Sequence, residues 1–271
     1  IPDLRRRLDA LQKGNTIIVR DGRCSLTFPV VVGKRRQQVK RISDQAAIKL
    51  RPTVQTMIQR LQRAVPDRPG IIFHLLWSRV LDDVWEKAWD AAFGHSPLPD
   101  ATWAVYPQHP FTVGTYSYPL PGNGWISVTM GPNSWKYKSK IVEFAADLHR
   151  LAWHRQISIQ AEAQLQQLGV LDSDMKFRVF TYRTGDHFDQ LLRQMIADYA
   201  TALADVYDYK GMAKSFRISP AHMFCMLLHE TAYAVLDDLR RSGDLNVPAV
   251  LTGSENGDVV DVVSIRTADP D

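Results

Sequence analysis

The 271 residues, 45% hydrophobic and 23% charged, have the composition of a chain that buries a core, which excludes a disordered, collagen-like or coiled-coil polypeptide. The net charge of +4 is unevenly placed: residues 1–70 hold sixteen Lys and Arg against five Asp and Glu, a net of +11, and residues 71–271 carry −7. The longest mainly apolar stretch, Ile71 to Trp77, is far shorter than the roughly 20 residues that cross a bilayer, so no membrane association is expected.

In chain order, residues 3–13 read as a short helix with Leu4, Leu8 and Leu11 on one face, ended by Gly14-Asn15. A β-hairpin follows, Thr16 to Arg20 and Cys24 to Val32 about the turn dipeptide Asp21-Gly22, with Pro29 marking an edge or a bulge. From Ser43-Asp44 a helix is expected to run to Lys49 and, past Pro52, to about Val65. The region 1–70 is therefore read as a basic helix-hairpin-helix unit, not necessarily independent of a mainly helical α+β core over 71–271.

Residues 71–93 have near-helical apolar periodicity and end at Gly94, and Trp77, Trp85 and Trp89 on that helix are read as core side chains. Residues 95–135 are rich in Pro, Gly, Tyr and Trp, with short strands expected at 103–106, 111–118 and 125–130. Beyond them helices are expected over 139–168, 186–208 and 219–242, with strands at 177–182 and 259–265. The 219–242 helix is the best punctuated, with Ser219 as N-cap, Pro220 in the first turn, Arg240 and Arg241 in the last, and Gly243 just past the end. The fold class is α+β, with an aromatic-rich β region and a helix-rich C-terminal half.

No phosphate loop, dinucleotide fingerprint, nucleophile elbow or CxxC pair is present, and Cys24 and Cys225 stand alone. Unpaired cysteines fit a reducing compartment, so a cytoplasmic location is expected. Three functional readings follow.

In the first, clustered cations bind nucleic acid or another polyanion, because Lys and Arg neutralise phosphates and release counterions. Lys34, Arg35, Arg36, Lys40 and Arg41 are the backbone-contacting candidates, and Tyr118 and Trp125 the residues on which a base or sugar would stack. The second is a metal-dependent enzyme. His229-Glu230-Thr231-Ala232-Tyr233 begins like a zinc helix but has Tyr in place of the second His, while His222 lies two turns before His229. Glu143, Asp147, Arg150 and His154 share a narrow face of the 139–168 helix. Were the two helices packed together, His222, His229, Asp147 and His154 would hold a divalent metal. In the third reading the chain is a subunit of a larger assembly, its basic region set against an acidic protein partner.

Overall fold

The computed structural model describes residues 17–20, 23–26, 30–94, 104–105, 114–120, 124–130, 159–167, 169–174, 176–252 and 259–267. The helix expected at 3–13 and the part of the 139–168 helix before Ile159 lie outside them.

The hairpin is present, with a second strand shorter than the expected Cys24 to Val32. Strands β1 (Ile17–Arg20) and β2 (Arg23–Leu26) pair antiparallel, Arg20 opposite Arg23, and the turn expected at Asp21-Gly22 lies outside the described residues. The short β3 (Val30–Val31) pairs parallel with β4 (Ala104–Val105).

Helix α1 (Gly33–Ala64) begins a full ten residues before the expected Ser43 cap and continues through Pro52. Its buried residues Val39, Ser43, Ala46, Ala47, Leu50, Val54, Met57, Ile58 and Leu61 recur at helical spacing, so one continuous stripe faces the core. Ser43 is part of that stripe and does not cap the helix. Pro52 is tolerated because it sits on the opposite, solvent side. The carbonyl it leaves without an N–H partner belongs to Ile48, which is 70% exposed and meets water.

The stretch expected as one helix over 71–93 is built from pieces. A 3-10 turn (Pro69–Ile71) leads into α2 (Ile72–Leu76), which passes directly into a π-helical turn, Trp77–Leu81, where the Asp82 N–H reaches back to the Trp77 carbonyl at 2.8 Å. After a bend, α3 (Trp85–Phe93) completes the segment and stops at Gly94 with φ +79°. Trp89 packs against Phe224 and Phe93, and Trp77 against Tyr233, the core role expected of them.

The main sheet has the order β5 (Gly114–Leu120), β6 (Gly124–Met130), β8 (Val263–Thr267), β7 (Phe180–Arg183). β5, β6 and β8 are antiparallel neighbours and β7 joins β8 in parallel. A parallel pair needs a long crossover, and the helices between these strands supply it. They are α5 (His187–Val206), α6 (Tyr209–Phe216), α7 (Pro220–Ser242) and α8 (Ala249–Thr252); the described part of the earlier helix is α4 (Ile159–Gln167).

Helix α7 is the central element of the helical layer, with fourteen buried residues, and packs along α1 and α6. Its punctuation is as expected. The Ser219 hydroxyl accepts the His222 N–H, and past Gly243, at φ +80°, the Asp244 N–H closes on the Leu239 carbonyl. The layers meet where α2 and its π turn lie on the sheet, and the buried residues of α1, α5, α7 and the strands form one hydrophobic cluster. No helix among the described residues is long and apolar enough to cross a membrane.

Pro52→Ala restores an interior hydrogen bond on an exposed helix face. It should raise the stability measured by urea unfolding by about 1–3 kcal/mol. A lower stability would mean that α1 needs the proline's bend to follow its neighbours.

Candidate functional site

The five cations singled out in the sequence occupy the first two turns of α1. Lys34, Arg35, Lys40 and Arg41 are exposed and Arg36 is half-buried. Lys40 pairs with Asp44 one turn on, at 2.7 Å. The first turn holds no acidic residue and Val32 offers no capping side chain, so the positive end of the helix dipole faces positive side chains. Of the two aromatic candidates, Trp125 is 40% exposed and Tyr118 half-buried against the core. In the β5–β6 register Trp125 stands opposite Pro119 and Tyr118 opposite Ile126, which puts the two rings on opposite faces of the sheet. They do not form one platform.

His222 is held locally by Ser219, whose hydroxyl lies 2.8 Å from its Nδ1. His229 sits edge-on to Tyr233 with its Nδ1 3.7 Å from the Glu230 carboxylate. Seven helical residues separate these histidines by about 10 Å along the axis. Asp147, His154, Glu143 and Arg150 lie outside the described residues. Among the described residues, no three His, Cys, Asp or Glu side chains gather as metal ligands.

The densest polar constellation is elsewhere, under α2 and its π turn. Residues alternate across a strand, and the register places Ser117 (β5), Ser127 and Thr129 (β6), Ser264 and Arg266 (β8) and Tyr182 (β7) on one face of the sheet. Small hydroxyl side chains at 127, 129 and 264 let the helix approach closely. His74 is fully buried between them, with Nδ1 2.8 Å from Thr129 Oγ1 and Nε2 2.8 Å from Ser264 Oγ. Both ring nitrogens are satisfied by groups that donate or accept, which suits a neutral imidazole. Burial, with the Arg79 charge nearby, lowers the His74 pKa to about 3.

Arg79 reaches the same face five residues later. In a regular α-helix those positions lie about 140° apart, and Arg79 lies within the more loosely wound π turn. The Arg79 Nε donates to the Tyr182 hydroxyl at 2.9 Å and Nη1 to Ser127 Oγ at 3.2 Å, while Nη1 lies 3.1 Å from Asp83. Arg266 extends beside them with Nε 3.2 Å from Asp189. Asp189 is set by the start of α5. Its N–H is capped by Asp186 at 2.7 Å, and its carboxylate takes the Gly185 N–H and the Arg193 Nε, each at 2.9 Å. Burial pushes the Asp189 carboxyl up, but the Gly185 amide, Arg193 and Arg266 outweigh it and hold the pKa below the ordinary value.

None of His74, Arg79, Ser127, Tyr182, Asp189 and Arg266 stood out as a site residue in the sequence, and they are drawn from three strands and three helical segments. The available signal was a lone imidazole inside the apolar run Ile71 to Trp77, with a lone Arg two residues beyond it.

The His74 clamp has a pH signature. The unfolded chain takes up a proton near the ordinary value of 6.5, whereas the folded chain resists it down to about 3. Stability should therefore be intact above pH 6.5 and fall on acidification toward pH 3, by up to about 1.4 kcal/mol per pH unit from this residue. Urea titrations at pH 7, 5.5 and 4.5 measure it; His74→Gln should be less stable at pH 7 and have a flatter dependence, and an unchanged slope would dismiss the imidazole as its source.

Compared with protein-family models, curated proteins and solved structures, the chain has no significant match.

Proposed function

We propose that this protein binds nucleic acid, or a polyanion of similar charge spacing, through the basic opening of α1. The observation that carries the reading is the crowding of Lys34, Arg35, Arg36, Lys40 and Arg41 onto two helical turns with four of the five exposed, in a region of net +11. Such crowding is unfavourable for the isolated helix, since like charges repel and the dipole opposes them. A line of phosphates relieves both penalties and releases its own counterions. Lys34 and Arg41, seven residues apart, point away from the Val39-Ser43-Ala46 core stripe, so backbone contacts would run along the outer side of the helix. This chemistry reads charge rather than base sequence. A cytoplasmic location suits such a partner.

The combined variant Lys34→Glu, Arg35→Glu and Arg41→Glu tests the reading by fluorescence anisotropy with labelled single- and double-stranded DNA and RNA. Affinity should fall at least tenfold on all sequences, and the log–log salt slope on duplex should become shallower by about 3. Equal affinity and slope in wild type and variant would remove α1 from the interface. Absence of binding by the wild type at low salt would turn the basic surface toward an acidic protein partner.

A further inference from the structure

The cations of α1 do not stop at its second turn. The helix holds nine Lys and Arg and a single acid, Asp44. Three of the nine are committed to carboxylates: Lys40 to Asp44 at 2.7 Å, Arg51 to Asp238 and Asp244, and Arg60 to Asp198 on α5 at 2.8 Å. Lys34, Arg35, Arg41, Lys49 and Arg63 are exposed and, among the described residues, have no carboxylate partner.

At about 100° per residue, Lys34, Arg41, Lys49 and Arg63 fall within about 80° of one another, opposite the buried stripe that runs from Val39 to Leu61. Gln38, Gln45 and Gln59 share that line and are exposed as well, and their amides can donate to phosphate and sugar oxygens without adding charge. At about 1.5 Å per residue the row from Lys34 to Arg63 is about 43 Å long.

The row borders a groove. Between Lys49 and Arg63, where α1 meets α5, lies a space of about 400 Å³ lined by Thr53, Thr56, Met57, Arg60, Asp198 and Thr201. Met57 is almost fully buried beneath it. The Thr56 and Thr201 hydroxyls donate to carbonyls of their own helices at 2.9 and 3.1 Å, and Arg60 and Asp198 hold each other. With these polar groups already bonded within the protein, the groove suits a flat, mostly apolar group better than a further charge.

Row and groove together select the form of the nucleic acid. A duplex completes a turn in about 34 Å, so along the row each of its strands winds away, and its bases stay inside the stack. A single strand can keep its phosphates along the row and turn a base outward. Resting on the nucleic-acid reading of the first two turns, we infer that α1 tracks the backbone of a single-stranded nucleic acid from Lys34 to Arg63, with one base turned into the α1–α5 groove.

The test is fluorescence anisotropy of the full chain with labelled DNA and RNA strands of about 14 nucleotides, which span the row at about 3.4 Å each, and with the corresponding duplexes. The single strand should bind more tightly than the duplex despite its lower charge density. Lys49→Glu with Arg63→Glu should lower single-strand affinity at least tenfold and make the log–log salt slope shallower by about 1.4, two contacts at about 0.7 each. Lys210→Glu with Lys214→Glu, the same charge change placed on α6, should bind as the wild type does. Thr201→Leu fills the groove from an exposed position on α5; it should weaken the single strand at least threefold and leave duplex affinity unchanged. All of these variants alter exposed side chains, and their thermal melting should match the wild type. The inference is overturned if Lys49→Glu with Arg63→Glu keeps the wild-type affinity and slope while the Lys34→Glu, Arg35→Glu and Arg41→Glu variant loses them, or if the α6 variant loses as much affinity as the Lys49 and Arg63 variant. It is also overturned if Thr201→Leu binds the single strand as the wild type does, or if the duplex binds as tightly as the strand. Wild-type protein that binds neither form at low salt overturns the underlying nucleic-acid reading too, which sets that outcome apart from the others.

Discussion

A neutral imidazole with no access to water holds the two layers of this protein together. His74 stands between a threonine on β6 and a serine on β8, and both of its nitrogens are bonded at 2.8 Å. In an apolar interface such a group would cost several kcal/mol if left unsatisfied. Hydroxyls are the partners that adapt, because each donates or accepts as the tautomer requires. Ser78 belongs to the same arrangement, its hydroxyl donating to the His74 carbonyl at 2.8 Å just as the helix opens into its π turn. Helix position, sheet register and ring orientation are thereby coupled, and a one-residue slip of β8 would turn Ser264 to the other face.

The helical layer is held by different means. Helix α7 is buried on nearly every side and its contacts are aliphatic and aromatic, with Phe224 at the centre of a group formed with Trp85, Trp89, Phe93 and Tyr209. Each large side chain of this kind contributes about 1.5–3 kcal/mol by leaving water, without directional demands. The polar interface beneath α2 supplies direction where the helical layer supplies burial. Arg51 adds a third kind of tie, joining α1 to the end of α7 through Asp238 at 3.2 Å and Asp244 at 2.8 Å, an exposed pairing of small energetic weight.

Positive charge occurs in two physical settings. At the start of α1 it is solvated, crowded and screened by salt, and it suits a long anion met by many weak contacts. Around Arg79 and Arg266 it is partly withdrawn from water and oriented by Tyr182, Asp83 and Asp189. The acidic balance of residues 71–271 conceals the second setting, because its carboxylates are the groups that position the guanidiniums.

Much of the fold was legible along the chain, for reasons that differ from element to element. α7 carries its boundaries in Ser219, Pro220 and Gly243, because caps are decided by the residues that form them. The early start of α1 and its passage through Pro52 were not legible. Propensity places a break at proline, and only burial of the Val39 to Leu61 stripe against other helices overrides it. The break in the expected 71–93 helix had the same origin, since a π turn lowers local hydrogen-bond quality and persists when tertiary contacts such as those of His74 and Arg79 favour it.

The chain by itself determined the α+β class, the hairpin, the punctuated α7, the tryptophans as core and the concentration of cations before residue 70. These follow from periodicity, capping and composition, which are local properties. Tertiary structure alone decided that Trp125 and Tyr118 face opposite ways, that β7 lies parallel to β8, and that His74, Arg79, Ser127, Tyr182, Asp189 and Arg266 meet. Strand order and register bring together residues that no spacing along the chain relates.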